Sequence, residues 1–514
     1  MPFPDDRSFA HSLPLDGTDR VGTDKKTAGD GKDGTKQDKE PPAAPKRFVT
    51  MHDGTFRGTK LGYAVTAGET HLVDGDGKPR ASLFTFAYVR DGMADPAKRP
   101  VTFLFNGGPG SASLWLHMGA FGPRRIVVPG DGTGAGVGPY EIVDNPHCPL
   151  DETDLVFIDP VGTGFSRPLG EVKPEEAWGL DADAGIIADF IKRWLTENKR
   201  WASPRYLAGE SYGTTRAVAV AGKLQGGLAG VAFNGLALIS VILDFHTARF
   251  EKGNTLPDVS YLPTYAATAH HYGLIAEPPE ERARLLDEVR RFAIEEYAPA
   301  LLAGSRLEPA KRKRVLKKLA RYSGLDEAWL DRSNLRIDPA RFRKELLRER
   351  GIVLGRFDTR YQGRDYDQVG ELPDNDPSAY AIDSAYVSAI NDYLDRTLAV
   401  EMDRPYAVFN RTALTKWDWH GPRNENQPSW PGYVNVAPEL GRIQRENAGV
   451  RVLMANGLYD LATPFFAVEN TIAGNGIDAA RVTMRYYDAG HMMYVHEPSF
   501  DALMTDFRAL VTGN

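Results

Sequence analysis

Hydrophobic and polar residues alternate with a period of two over residues 60–66 and again over 81–89. Successive side chains of a strand point to opposite faces, so this period predicts two strands, each with one face buried. Gly75, Asp76 and Gly77 between them supply a turn. The pair reads as antiparallel strands at the start of a mixed sheet. Further along, short and mostly apolar runs take over, at 101–105, 154–158, 206–208, 236–240, 450–455 and 482–487. Such runs suit strands covered on both faces of a largely parallel sheet. Helical periods separate them, as at 181–194. A last helix starts near Ser499, with Phe500, Leu503, Met504, Phe507 and Leu510 on one face. Alternation of this kind predicts an α/β fold.

Between about 245 and 405 the strand signals disappear. Charged helical stretches at 279–302, 309–322, 340–350 and 383–400 replace them. The expected organisation is a core of residues 47–244 and 405–514, interrupted by a helical insertion at 245–404. Residues 1–46 are rich in Asp, Gly, Lys and Pro and poor in large apolar residues, which predicts a disordered N-terminal arm.

A chain of 514 residues suits one large α/β domain with an insertion, and 42% hydrophobic with 10% aromatic residues can fill a sizeable core. The net charge of −7 is spread along the chain, so neither a nucleic acid nor an anionic membrane is an expected partner. Cys148 is the single cysteine, which excludes an intrachain disulfide. No run approaches the roughly 18 apolar residues of a spanning helix. Residues 1–21 lack the apolar stretch of a secretory signal, so the expectation is a cytoplasmic protein with no integral membrane segment.

The most informative motif is Gly209-Glu210-Ser211-Tyr212-Gly213, placed between a predicted strand and a predicted helix. Gly-x-Ser-x-Gly in that setting is the nucleophile elbow of an α/β-hydrolase, and Ser211 is the candidate nucleophile. A serine hydroxyl needs a base, an orienter for the base and donors for the oxyanion. The remaining parts follow in the chain order of that fold. Asp460 lies in a loop after the run at 450–455, and His491 lies after the run at 482–487. Asp460 reads as the orienter, with a helix cap as its plain alternative. His491 reads as the general base and then acid. Asp488 is a competing carboxylate too close in sequence to His491 to orient it easily. Asn106-Gly107-Gly108-Pro109-Gly110 follows the run at 101–105. The backbone N–H groups of Gly108 and of Tyr212, the residue after Ser211, are the predicted oxyanion hole. The constrained loop from Asp159 to Ser166 is assigned structure rather than chemistry. No metal or cofactor is required by this set.

Together these motifs resemble the serine carboxypeptidase family of α/β-hydrolases. The family's glycine loop reads Asn-Gly-Gly-Pro-Gly, its elbow Gly-Glu-Ser-Tyr and its histidine motif Gly-His-Met, as at 106–110, 209–212 and 490–492. A further loop ending Val-Gly-Phe-Ser is close to residues 163–166. The resemblance implies an α/β-hydrolase fold: a mostly parallel central sheet, helices on both faces and a helical cap. It also implies removal of C-terminal residues from a peptide substrate through an acyl-enzyme on Ser211. In the family the glycine-loop Asn and the Glu before the nucleophile bind the substrate's α-carboxylate, which points to Asn106 and Glu210. Two carboxyls can meet only by sharing a proton, so such a site favours acid pH. The plain alternative for Glu210 is an acid favoured by a helix start.

Three positions depart from the family. Ala120 stands where a second Glu is usual, Leu104 where Trp is frequent, and Ser111 where a disulfide Cys is common. The first weakens the carboxylate site and leaves a prolyl-aminopeptidase-like peptidase, an esterase or an acyltransferase as alternatives on the same triad. A catalytically silent binding module is the alternative outside enzymes. The basic run at 311–318 reads as a solvated helix face, Asn410-Arg411-Thr412 as an incidental glycosylation match, His270 and His271 as a surface pair, and the Trp417, Trp419 cluster as packing that could border a pocket.

Overall fold

The computed structural model describes residues 43–226, 229–420 and 432–513, so most of the expected N-terminal arm lies outside the described residues. The alternating segments form a long hairpin of β2 (Thr59–Val73) and β3 (Pro79–Arg90), with Tyr63 opposite Arg90 and Leu72 opposite Ala81. Ahead of it runs β1 (Arg47–Phe56), an edge strand that the sequence pattern did not predict. It pairs on one side only, and its outward Val49 and Met51 are exposed, so no clean apolar face marked it.

The apolar runs become β4 (Val101–Phe105), β5 (Asp154–Ile158), β6 (Arg205–Glu210), β7 (Gly235–Ile239), β8 (Arg451–Gly457) and β9 (Val482–Tyr487). The sheet order is β1-β2-β3-β5-β4-β6-β7-β8-β9, with the short strand Arg167–Pro168 alongside β3. Pairing is antiparallel from β1 to β5 and parallel from β5 to β9. Strands β4, β5 and β7 are buried throughout and β6 is buried beyond its half-buried first residue, Arg205, as continuous apolar runs require. The run at 482–487 is a correction to that reading. It is the other edge, and most of its residues are exposed or half-buried.

Two apolar cores flank the sheet. On one face Phe86, Leu104, Phe157 and Ile239 pack with Phe500, Leu503 and Phe507 of the last helix, Glu497–Thr512. On the other, Phe103, Ile158, Leu207 and Leu238 pack with α1 (Leu180–Glu197) and α2 (Tyr212–Gln225). Alternation along each strand sends neighbouring residues to opposite cores. The mostly parallel sheet with helices on both faces is the α/β-hydrolase arrangement.

Between β7 and β8 the chain runs mainly through helices, including Leu256–His271, Arg282–Phe292, Pro309–Ser323 and Asp383–Asp392. Many of these helices share a third core with Leu458, Leu461 and Phe465, which follow β8. One short ladder, Val353–Leu354 with Gln362–Gly363, interrupts a stretch where no strand was expected. Two-residue strands are too short to leave a period in the sequence.

Candidate active site

Strand β6 ends at Glu210 and α2 begins at Tyr212, so Ser211 occupies the turn with φ 60° and ψ −130°. A non-glycine residue held there stores strain on the order of 1–3 kcal/mol. Its neighbours over-determine it. Ser211 N donates to the Ile239 carbonyl at 2.9 Å, and its own carbonyl accepts from Thr214 N and Thr214 Oγ1, each at 2.8 Å. The turn also needs Gly209, because a Cβ there would stand 2.1 Å from the Gly213 carbonyl oxygen. Ser211 is half-buried at the mouth of this turn.

The glycine loop follows β4, the parallel neighbour of β6, and so reaches the same end of the sheet. A Cβ on Gly107 would lie 2.5 Å from Tyr212 N, which shows how closely the loop rests on the elbow. The two predicted oxyanion donors, Gly108 and Tyr212, therefore belong to segments in direct contact. Arg216 of α2 ties them together. Its Nε meets Asp183 Oδ2 at 2.6 Å, its guanidinium donates to the Asn106 carbonyl, and it lies 5.2 Å from the Tyr212 ring centre. Arg216 is fully buried, so its charge requires the Asp183 partner. Sequence reasoning missed this pair. The available signal was one arginine in an otherwise small and apolar helix, TTRAVAVA.

His491 and Asp460 sit in the loops after β9 and β8, and the two loops meet. His491 Nδ1 lies 2.7 Å from Asp460 Oδ2. Asp460 is held by four contacts in all. Oδ1 accepts from Ala462 N at 2.7 Å and Thr463 N at 3.1 Å, and Oδ2 accepts from Thr463 Oγ1 at 2.7 Å as well as facing His491. The local turn and the bridge to His491 thus coexist. Burial opposes protonation of His491, but the Asp460 charge and hydrogen bond, with Glu210 beyond, outweigh it and raise the imidazole pKa. Arg356 acts the other way. The backbone is pinned as well. His491 N donates to the Phe357 carbonyl at 2.6 Å, and Ser240 Oγ donates to the His491 carbonyl at 2.5 Å. The Phe357 ring lies 5.1 Å from the imidazole, so the helical region borders this group. Neither Thr463 nor Phe357 was anticipated.

Glu210 turns into the interior beside these residues. Asn106 Nδ2 donates to its Oε2 at 2.6 Å, while Asn106 Oδ1 accepts from Leu116 N at 3.0 Å. Tyr494 Oη donates to Oε2 at 3.0 Å and lies 3.2 Å from Oε1. Burial pushes the Glu210 carboxyl up to about 7, against the opposing pull of His491, Tyr494 and Asn106. Its described partners are side chains rather than helix N–H groups, which sets aside the helix-start reading. Ala120 is buried in the helical turn His117–Phe121.

Other candidates fall elsewhere. Asp488 pairs with Arg282 near the surface. Asp159 accepts from Ser113 N at 2.8 Å and Ser166 Oγ donates to its carbonyl, which fixes the 159–166 loop. Asn410 caps the short helix Arg411–Thr415 through Ala413 N. The basic run is paired to acids, Arg312 to Asp331 and Lys318 to Glu296. Trp417 and Trp419 stand edge-on to the Tyr212 ring, at 5.3 and 5.9 Å. Among the described residues no helix is long and apolar enough to cross a membrane.

The fold is that of the α/β-hydrolases. The family model for serine carboxypeptidases matches residues 68–227. The carboxypeptidase Y homolog of Arthroderma benhamiae is 32% identical over 146 residues, 28% of this chain and 27% of that protein. Serine carboxypeptidase-like 36 of Arabidopsis thaliana is 27% identical over 134 residues, 26% of each. The chain thus matches about a quarter of the length of these relatives. Among solved structures, Kex1(delta)p, a prohormone-processing carboxypeptidase from Saccharomyces cerevisiae, shares the fold with a TM-score of 0.52 and 17% identity, over 87% of this chain and 90% of that one. The family match includes the glycine loop and Ser211 and ends before Asp460 and His491.

Proposed function

We propose that this chain is a serine carboxypeptidase. The observation that carries the reading is the buried Glu210 carboxyl, hydrogen-bonded to Asn106 and one residue from Ser211. A protonated carboxyl with an amide beside it suits a substrate carboxylate, and its place next to the nucleophile selects the C-terminal peptide bond. Ser211 Oγ attacks the scissile carbonyl as His491 takes its proton, and Asp460 holds the imidazole and stabilises the imidazolium. The N–H groups of Gly108 and Tyr212 receive the developing oxyanion. His491 then protonates the departing amino acid, and water releases the shortened peptide from the acyl-enzyme. The helical segment between β7 and β8 serves as a cap, with Phe357 closing one side of His491.

The test compares an N-blocked dipeptide, its C-terminal amide and an unblocked aminoacyl amide, with Ser211→Ala as control. The expected result is release of the C-terminal amino acid from the free acid, lost in the Ser211→Ala variant. Preferential cleavage of the amide or of the unblocked substrate would refute the carboxypeptidase reading and favour an esterase or an aminopeptidase.

A further inference from the structure

The Glu210 carboxyl lacks a carboxyl partner at residue 120, yet it is not left without support. Tyr494 reaches it from the helical turn Met493–Val495, three residues beyond His491. The approach depends on Gly119. A Cβ there would fall 2.5 Å from the Tyr494 ring and 2.6 Å from Tyr386 Oη, so a bare glycine next to Ala120 makes the space that the phenol fills. Oε2 takes the two shorter contacts, from Asn106 and Tyr494. Among the described residues Oε1 keeps only the 3.2 Å contact, which leaves it as the oxygen that can carry a proton toward a ligand.

We propose that Tyr494 is the positioning residue of the carboxylate site, a non-ionising donor that orients Glu210 so that Oε1 receives the free C-terminal carboxylate of a peptide. The proposal rests on the carboxypeptidase reading above. Two carboxyls sharing a proton repel once both ionise, whereas a phenol remains a donor. Burial first, then Glu210 and Tyr386 nearby, keep Tyr494 protonated far above neutrality. The titratable groups around Glu210 are His491 and Asp460 on the two neighbouring loops, Tyr494 itself and Tyr386 of the helix Asp383–Asp392. Only Tyr494 and Asn106 touch it by hydrogen bond among the described residues. Tyr494 favours the ionised carboxylate and so holds the Glu210 pKa below what burial alone would set.

The test is kcat/KM against pH for the free-acid and amide dipeptides, with wild type, Tyr494→Phe and Glu210→Gln. With the free acid, the alkaline limb reports loss of the Glu210 proton. Tyr494→Phe removes a donor that favours the ionised carboxylate, so this limb moves to higher pH, and KM for the free acid rises about fivefold as the protonated carboxyl loses the hydrogen bond that orients it. The amide profile keeps its wild-type midpoint whatever its height. Glu210→Gln abolishes the free-acid limb and confirms its assignment without depending on how Tyr494→Phe folds. An unmoved limb in Tyr494→Phe, or an equal displacement with the amide, would overturn the role of Tyr494. Failure of the wild type to prefer the free acid would instead overturn the carboxypeptidase reading on which it rests.

Discussion

At the scale of single residues, the site is a set of buried polar groups whose burial and partners together decide their charge. Glu210 is the sharpest case. Its folded pKa of about 7 exceeds the ordinary 4.5, so the native state binds its proton more tightly than the unfolded chain. The stability it contributes in acid is complete below the unfolded value and is lost as pH rises through about 7. Glu210→Gln should therefore gain on wild type between pH 4 and 8 by up to about 3 kcal/mol. Urea denaturation at the two pH values checks this, and an equal gap at both would contradict it. Thr463 is a second case. Its hydroxyl holds the Asp460 oxygen that faces His491, so Thr463→Val should lower kcat about tenfold with little change in KM, the loss of one hydrogen bond to a charged group. Steady-state kinetics on the preferred substrate decide it, and an unchanged kcat would count against the role. The residues that motifs name, Ser211, Asp460, His491, Asn106 and Glu210, were legible in the sequence because each motif also sits after a strand signal. Tyr494 was not, because its contact with Glu210 joins positions 284 residues apart and no period or spacing announces it.

At the scale of elements, position follows from strands that end together. Strands β4, β6, β8 and β9 belong to the parallel part of the sheet, so the loops carrying Asn106, Ser211, Asp460 and His491 emerge at one edge. Continuous apolar runs revealed the central strands, since burial on both faces removes polar positions. The edges were harder. β1 carries Val49 and Met51 outward and β9 is half-exposed, so edge strands blur the pattern on which strand assignment depends. The junction of α1 and α2 hides a further constraint, the Asp183–Arg216 pair beneath the glycine loop. Replacing Arg216 alone by Met should destabilise the fold by about 3–5 kcal/mol, because a buried carboxylate loses its counter-charge. Pairing that change with Asp183→Leu should recover much of the loss. Thermal melts of the single and double variants measure this, and additive losses would show that the pair is not coupled.

At the scale of the whole molecule, the loops that follow the parallel strands carry the proposed nucleophile, base and oxyanion donors, and the helical segment between β7 and β8 lays Phe357 against His491. The alternation of strand and helix made the α/β class readable from the sequence. The internal layout of the helical segment was not, since amphipathic helices specify a buried face without saying which neighbour covers it. The pH response is likewise a property of the assembled site. His491 must lose a proton to act as a base, and its pKa is raised by Asp460 and Glu210 against burial, so the amide rate should rise along a limb above the ordinary histidine value. Free-acid hydrolysis carries the added requirement that Glu210 hold its proton. The most direct measurement is the ratio of kcat/KM for the free-acid and amide dipeptides, followed in the wild type from about pH 5 to 9, which brackets both groups. The expected ratio is well above one in acid and falls as pH rises through about 7, as Glu210 ionises. A ratio near one throughout, or one that does not change with pH, would contradict the claim that Glu210 recognises the peptide's terminal carboxylate.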